Sequence, residues 1–214
     1  MLRVGLTGGL ASGKTTVGRM MVARGAHLIQ ADQIAHELMM PGQAVYHEVV
    51  RHFGPEIVHP EDGSILRAKL AEIAFGQGRI QELNAIVHPA VIARQNAWMD
   101  EQGARDSKSI VVVEAALILE AGVKGRFDKL VVVTCPAEQK IARYVERTAP
   151  PESGAVAREV ARREAERRVA AQIPEEEKIK AADYVIDNGG TLEQTERQVE
   201  ALMKGLKEIA NRPA

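Results

Sequence analysis

Apolar residues along this chain occur in short unbroken runs that alternate with segments of helical spacing. Val17, Met20 and Met21 recur at helical spacing after the first run, and Leu202 and Leu206 do so near the C-terminus. The runs are typical of strands buried on both faces of a sheet, and they occupy 4–7, 27–29, 109–113, 130–134 and 184–186. Strands alternating with helices predict an α/β fold with a parallel sheet, in which ligands bind beyond the carboxyl ends of the strands.

The segments between these runs divide the chain further. Helix-like stretches at 41–102 are broken by Gly and Pro and include no convincing buried strand, so a helical insertion is predicted there. A helix is predicted over 137–147, and after a Pro- and Gly-containing break the charged stretch 158–168 is predicted to be a helical arm. Asp32 follows the second run at the position of a helix N-cap, and Thr191 opens the last helix.

Composition excludes several classes of protein. The 214 residues carry a formal net charge of −1, which gives no global electrostatic case for binding nucleic acid or an anionic membrane. The single cysteine, Cys135, excludes an intrachain disulfide and a Cys-rich zinc site. No apolar run approaches the ~20 residues of a membrane span, and no signal peptide is recognisable. A soluble cytoplasmic protein is therefore expected, as a monomer, with an oligomer left open.

The loop after the first strand carries the strongest motif of the chain. It matches G-x-x-x-x-G-K-[ST] in full, lies between a strand and a helix, and reads Gly8, Gly9, Leu10, Ala11, Ser12, Gly13, Lys14, Thr15, with Thr16 following. In such a loop the glycines let backbone N–H groups surround phosphate. Lys14 supplies a positive charge that binds the β and γ phosphates, and the Thr15 hydroxyl ligates Mg²⁺. The motif predicts binding of a nucleoside triphosphate.

A small kinase is the class of P-loop protein that the rest of the chain favours. A GTPase needs an N-K-x-D segment, which is absent, and the D-x-x-G matches at Asp100 and Asp187 lie after a helix and near the C-terminus. A motor or helicase ATPase would be longer and usually more basic. The residues alone leave open a nucleoside or nucleotide kinase, and also a nucleotide-binding regulatory module without transferase activity.

Such a kinase needs a carboxylate for the acceptor hydroxyl and a lid that carries arginines and excludes water. Asp32 is the candidate base, and the alternative is a purely structural role in helix capping. Arg143 and Arg147 share a helix face, and Arg168 belongs to the charged arm, so either set is suited to clamping phosphates. The glutamates interleaved with the arm arginines are equally typical of a solvated charged helix.

Glu114 and His88 are weaker candidates. Glu114 stands at the carboxyl end of a buried strand, where an acidic residue orients water around Mg²⁺ or substrate, or simply reaches solvent. His88 precedes Pro89, a pair that is most often a turn or a structural histidine.

Taken together, these motifs resemble the dephospho-coenzyme A kinase family over nearly the whole chain. The resemblance rests on the loop, on Asp32, on the His88-Pro89 step and on Glu114, in that order along the sequence. Its most specific part is the tail, which carries Arg168 and Gln172, then Pro174 and Lys178, then the run from Ala182 to Asn188 and Gly189.

The resemblance implies an α/β P-loop kinase fold with a three-layer core, a helical substrate-binding insertion and a helical lid. The core would comprise 1–32, 104–148 and 176–214, the coenzyme A-binding insertion 33–103 and the lid 149–175. It also implies ATP and Mg²⁺, transfer to the 3′-hydroxyl of dephospho-coenzyme A, and no nucleic-acid or membrane partner. The roles it implies are a base for Asp32, a catalytic lid arginine for Arg168, nucleotide contacts for Arg143, Asn188 and Gly189, and substrate contacts for His88 and Glu114.

The chain departs from the family pattern at four places. Gln30 stands where the family often has a further Asp, Ala11 replaces a common Gly, and Ala116 replaces a common Pro. The stretch 149–161 is longer than usual. Asp32 itself is kept, so the chemistry is expected to be intact.

Overall fold

The computed structural model describes residues 1–212, apart from the side chain of Phe75. Its strands are β1 (Leu2–Gly8), β2 (His27–Gln30), β3 (Ile110–Glu114), β4 (Lys129–Thr134) and β5 (Tyr184–Asp187). They form one sheet in the order β2-β3-β1-β4-β5, with parallel pairing of β1 to β3, β1 to β4 and β4 to β5. The predicted α/β class with a parallel sheet is confirmed, and each apolar run lies within or overlaps one strand.

Nine α-helices are present in the described part of the chain. They are α1 (Lys14–Val22), α2 (Ala31–Leu38), α3 (Ala44–Phe53), α4 (Arg67–Ala71), α5 (Ile80–Arg105), α6 (Ala137–Thr148), α7 (Gly154–Ala170), α8 (Glu175–Ala181) and α9 (Leu192–Ala210). A π-helical turn, Glu72–Gly76, follows α4, and short 3₁₀ turns lie at Pro55–Ile57, Lys124–Arg126 and Pro151–Ser153. Within residues 1–212, no helix is long and apolar enough to cross a membrane.

The chain forms two compact units. The sheet unit comprises Met1–Ile29 and the chain from Gln102 onward, and the helical unit comprises Gln30–Glu101. Because α7 belongs to the sheet unit, the division into core, insertion and separate lid stays a prediction. The helical unit contains one isolated pair of bridged residues, Val58 and Ile65, and otherwise helices and loops.

Packing of α1 and α9 on one face of the sheet creates the main core. Alternate residues of β1, including Val4 and Leu6, meet Met21 of α1 and Leu206 of α9 there, and all four side chains are fully buried. Burying a side chain of this size contributes about 1.5–3 kcal/mol, so this contact fixes α1 against the sheet. The loop between β1 and α1 is therefore held at both ends.

The charged arm is anchored through a small apolar face. Ala161 and Ala165 of α7 are buried against Tyr144 and Val145 of α6, and Leu10 of the loop packs on the same cluster. On the outer surface of α7 the charges pair within one helical turn, as between Arg163 and Glu159 at 2.9 Å. This pattern is typical of a solvated charged helix, which was the alternative given for the interleaved glutamates.

A buried ion pair joins α8 to the segment after β3. The ammonium of Lys178 lies 2.7 Å from a carboxylate oxygen of Glu120, and the two side chains are 3% and 19% exposed. Neither group has a hydrogen-bond partner elsewhere in the described residues. Such a pair costs desolvation energy, which the attraction between the two buried charges offsets only in part.

One local prediction is wrong, and one of the two alternatives for the His88-Pro89 pair is excluded. Asp32 is not an N-cap, because β2 runs to Gln30 and α2 starts at once at Ala31, which makes Gln30 the N-cap and places Asp32 in the first helical turn. His88 and Pro89 do not form a turn, because Pro89 lies inside the long helix α5. The proline leaves the helix without one backbone hydrogen bond, and the neighbouring Val87 on the same helix is buried.

Candidate functional site

The loop between β1 and α1 adopts a conformation that needs glycine at Gly13. Its φ is +95°, and a Cβ there would lie 1.9 Å from the side-chain nitrogen of Asn188. Ala11 has a φ of +49°, and no other non-glycine residue in the described part of the chain has a positive φ. A left-handed conformation costs an L-residue about 1–2 kcal/mol, which gives the physical reason why glycine suits the Ala11 position.

Lys14 begins α1 and turns back over the loop. Its ammonium donates to the carbonyl oxygens of Gly8 at 3.1 Å and Gly9 at 2.9 Å. The positive charge is therefore held within the concave side of the loop by backbone acceptors. Phosphate oxygens are stronger acceptors for an ammonium than neutral carbonyls, so this arrangement is ready to bind an anion.

Thr15 and Glu114 meet at the carboxyl ends of two neighbouring strands. Glu114 ends β3 and pairs in register with Leu6 of β1, which leads directly into the loop. The Thr15 hydroxyl donates to a Glu114 carboxylate oxygen at 2.7 Å, and Glu114 is 8% exposed. The pair offers a hydroxyl and a buried carboxylate, both of them oxygen ligands suited to a hard cation.

Asn188 connects the end of β5 to the loop. Its side-chain nitrogen donates to the Ser12 carbonyl oxygen at 2.8 Å, and its side-chain oxygen accepts from the Thr195 hydroxyl at 3.0 Å. Asn188 and Thr195 are 5% and 0% exposed. Because the Thr195 hydroxyl supplies a donor to one end of the amide, the other end must present its N–H to the loop. The Asn188 side chain therefore positions the loop by binding the loop's backbone.

Arg143 reaches the same corner from α6. Its guanidinium donates to the Asn188 carbonyl oxygen at 2.9 Å and to the sulfur of Cys135 at 3.3 Å. Gln139 donates to the carbonyl oxygen of Gly189 at 2.9 Å. Desolvation by burial raises the pKa of the Cys135 thiol, so this thiol is a structural acceptor and a poor nucleophile at neutral pH. The structure brings together Arg143, Asn188 and Gly189 as expected from the sequence.

Arg168 lies near the end of α7 and is held on the helix itself. Its Nε donates to Glu164 at 2.7 Å, and its guanidinium lies 5.6 Å from the centre of the Tyr144 ring. Hydrogen bonds from Arg168 and then Arg167 lower the pKa of Glu164. The structure thus places Arg168 beside Glu164 and Tyr144, with half of its side chain exposed.

The helical unit contains a cavity of about 490 Å³ beside Asp32. Its walls are largely apolar and include Met39 and Leu83, while Arg67 and His36 contact each other at its edge. Asp32 is exposed in the first turn of α2, where a carboxylate is favourable to the helix dipole. His88 is half-buried on α5 and does not line this cavity.

A separate charge cluster in the helical unit centres on Glu82. Arg79 donates to its carboxylate at 2.7 Å, and His52 lies 2.5 Å from it. These two hydrogen bonds, that of Arg79 first, lower the pKa of Glu82 to about 2. The cluster ties α3 to the start of α5 on the surface.

Sequence reasoning missed two residues that build the site. Thr195 holds the Asn188 amide, and Gln139 holds Gly189, although neither belongs to a motif. The available signal for Thr195 was its helical spacing from Val199 and Leu202, which puts a threonine on the apolar face of the last helix, where a hydroxyl needs a partner.

Comparison with known proteins identifies the family. A family model described as dephospho-CoA kinase matches residues 2–194. A dephospho-CoA kinase of Symbiobacterium thermophilum is 43% identical over 92% of this chain and 78% of its own length. One of Geobacter metallireducens is 42% identical over 95% of this chain and 96% of its own.

Solved structures share the fold. TT1252 from Thermus thermophilus superposes with a TM-score of 0.74 at 31% identity, covering 96% of this chain and 97% of its own. Dephospho-CoA kinase from Campylobacter jejuni gives 0.65 at 21% identity, over 96% of this chain and 97% of its own, which supports the fold. With the family model spanning most of the sequence, this chain belongs to the dephospho-CoA kinase family.

Proposed function

We propose that this protein transfers the γ phosphate of ATP to the 3′-hydroxyl of dephospho-coenzyme A, the final step of coenzyme A synthesis. The observation that carries the proposal is a complete phosphate loop, with Thr15 bound to Glu114, in a chain of the dephospho-CoA kinase family. The loop supplies the donor site, and the family relationship supplies the acceptor.

The donor site is built from loop and helix groups. Backbone N–H groups from Gly8 to Thr16 surround the phosphates, and Lys14 exchanges its carbonyl acceptors for the β and γ phosphate oxygens. The side of the site that receives the nucleobase of ATP is formed by Arg143, Asn188 and Gly189. Asn188 acts there by holding the Ser12 carbonyl oxygen. This division leaves the γ phosphate at the end of the loop that faces Gly9.

Mg²⁺ fits the oxygen pair next to the loop. The Thr15 hydroxyl and the Glu114 carboxylate would hold the ion directly or through water, and phosphate oxygens of the nucleotide would complete its shell. When bound, the ion neutralises charge on the transferred phosphate. The role of Glu114 is thereby to fix the Thr15 hydroxyl and the water around the ion.

Asp32 serves as the base. It comes two residues after the end of β2, and its exposed carboxylate borders the cavity of the helical unit. The carboxylate accepts the proton of the acceptor hydroxyl as that oxygen attacks phosphorus. The apolar wall with Met39 suits the pantetheine arm of dephospho-coenzyme A, and Arg67 suits the diphosphate that links this arm to the adenosine. His88 is proposed as a substrate contact because of the family resemblance.

Arg168 acts from the lid, proposed here as 149–175. In the structure Glu164 accepts a hydrogen bond from its Nε, so this carboxylate competes with phosphate for the guanidinium. Two ionised groups at a half-exposed position exchange at small cost, because such surface pairs contribute only about 0–1 kcal/mol. The lid then excludes water from the γ phosphate.

An acceptor-dependence assay tests the proposal. ADP release by the purified protein should rise when dephospho-coenzyme A is added to ATP and Mg²⁺. Turnover with a nucleoside or a nucleotide, and none with dephospho-coenzyme A, would favour the nucleotide-kinase alternative. Tight ATP binding without transfer to any acceptor would favour a regulatory module.

The base is tested separately by Asp32→Asn. This change should reduce turnover by ~10² or more while leaving ATP affinity nearly unchanged, because only the proton acceptor is lost. Glu37→Gln is the matched control, since Glu37 is an exposed carboxylate on the same helix. Full activity in Asp32→Asn would eliminate Asp32 as the base.

A further inference from the structure

A buried ammonium outside the phosphate-loop motif lies against the loop. Lys140 of α6 has a side chain that is 8% exposed, and its Nζ is 3.2 Å from the place where a Cβ on Gly9 would stand. The missing side chain of Gly9 therefore gives this ammonium its space. A buried ammonium needs an anionic partner, and here the carboxylate of Glu175 at the start of α8 provides it.

A second donor of the phosphate loop is bound by the segment between α7 and α8, close to Glu175. The backbone N–H of Leu10 donates to the side-chain oxygen of Gln172 at 3.0 Å. The Gln172 oxygen also lies 3.4 Å from the position of a Gly9 Cβ. Two donors at the rim of the loop, one N–H and one ammonium, are thus bound by oxygens of Gln172 and Glu175. In a phosphate loop, donors of these kinds bind phosphate oxygens.

The position along the loop indicates which phosphate is concerned. Lys14, whose ammonium serves the β and γ phosphates in such loops, donates to the carbonyl oxygen of Gly9 at 2.9 Å. The ammonium of Lys140 therefore lies beside the residue whose carbonyl oxygen binds Lys14. Groups at Gly9 and Leu10 stand at the γ end of the donor site, since Gly13 to Thr15 begin the helix that faces the α and β phosphates.

We propose that Lys140 is a further phosphate-binding residue of the donor site, which exchanges the carboxylate of Glu175 for the γ phosphate of the nucleotide. The inference rests on the proposed role of the loop in binding ATP. Exchange of one anionic partner for another keeps the buried ammonium paired throughout. Glu175 holds Lys140 at the rim while the site is empty of phosphate and competes with the nucleotide for it.

Binding of two nucleotides that differ in the γ phosphate tests this role. Titration calorimetry with Mg²⁺ compares ADP with the β,γ-imido analogue of ATP. Lys140→Met should weaken the triphosphate analogue about 10- to 100-fold and ADP by less than about threefold, because one charged hydrogen bond to the γ phosphate is lost. Glu175→Gln should bind the analogue at least as tightly as wild type, because the competing carboxylate is gone. Lys180→Met is the control at an exposed lysine of α8.

A purely structural ion pair gives a different pattern. Equal weakening of both nucleotides by Lys140→Met, no weakening at all, or a loss in Glu175→Gln as large as that in Lys140→Met would overturn the proposal. Lys140→Arg, which keeps the charge, should retain the preference for the triphosphate, and it decides the matter if Lys140→Met does not fold. Because no acceptor is present, these titrations are independent of whether dephospho-coenzyme A is the substrate, which the ADP-release assay measures.

Discussion

Thr195→Val removes one buried hydroxyl and tests whether the Asn188 amide holds the phosphate loop. Valine keeps the shape of the side chain, which is fully buried in the wild type. The change deletes the 3.0 Å hydrogen bond to the Asn188 oxygen and leaves that oxygen without its donor. The hydroxyl also lies 3.3 Å from the Thr191 carbonyl oxygen, which is the longer of its two contacts.

The expected loss of stability follows from the deleted hydrogen bond and from the unsatisfied Asn188 oxygen. Removing a buried hydrogen bond and leaving one partner unsatisfied costs about 1–3 kcal/mol. For a chain of this size each kcal/mol lowers the melting temperature by roughly 2–4 °C, so a decrease of about 2–12 °C is expected. The amide of Asn188 is then free to turn, and its hold on the Ser12 carbonyl weakens. ADP affinity should therefore fall a few-fold in the same variant.

Thermal melts followed by circular dichroism, with ADP titrations at a temperature well below the transition, measure both effects. Thr148→Val at an exposed position at the end of α6 is the matched control, expected to change stability by less than about 0.5 kcal/mol. A melting temperature equal to that of the control would refute the reasoning about the buried amide. A lower melting temperature with unchanged ADP affinity would refute its link to the loop.

Three other variants test separate features. Gly13→Ala should abolish nucleotide binding, because the φ of +95° and the 1.9 Å approach of Asn188 exclude a Cβ; a titration with ADP checks it. Lys178→Met should destabilise by about 3–5 kcal/mol in a urea melt by leaving Glu120 buried and unpaired, and adding Glu120→Leu should recover much of this loss. Glu82→Gln should lower the melting temperature at pH 7. Since the folded pKa of Glu82 is depressed, the difference from wild type should persist down to about pH 4.5 and disappear towards pH 2.

Local patterns in the sequence were enough to predict the strands and the phosphate loop. The apolar runs predicted all five strands, and the G-x-x-x-x-G-K-[ST] motif predicted the loop, because strand burial and phosphate binding each impose a short-range pattern. The start of α2 was misplaced by two residues, with Asp32 instead of Gln30 as the N-cap, since no linker separates the helix from β2. The turn that was one of two alternatives for His88-Pro89 is not formed, because Pro89 lies inside α5 although proline is a local helix breaker.

What the sequence determined by itself is the α/β class, the phosphate loop and the family, all of which depend on residues close together or in fixed order along the chain. Only the tertiary structure decided that Glu114 meets Thr15, that Thr195 orients Asn188 toward Ser12, and that Lys140 lies against Gly9. Apart from the contact between Thr195 and Asn188, which are 7 residues apart, these contacts join residues far apart in the sequence through parallel strand order and helix packing. Hydrogen-bond partners at such separations leave no local pattern, because the chain specifies them only once the sheet has brought their elements together.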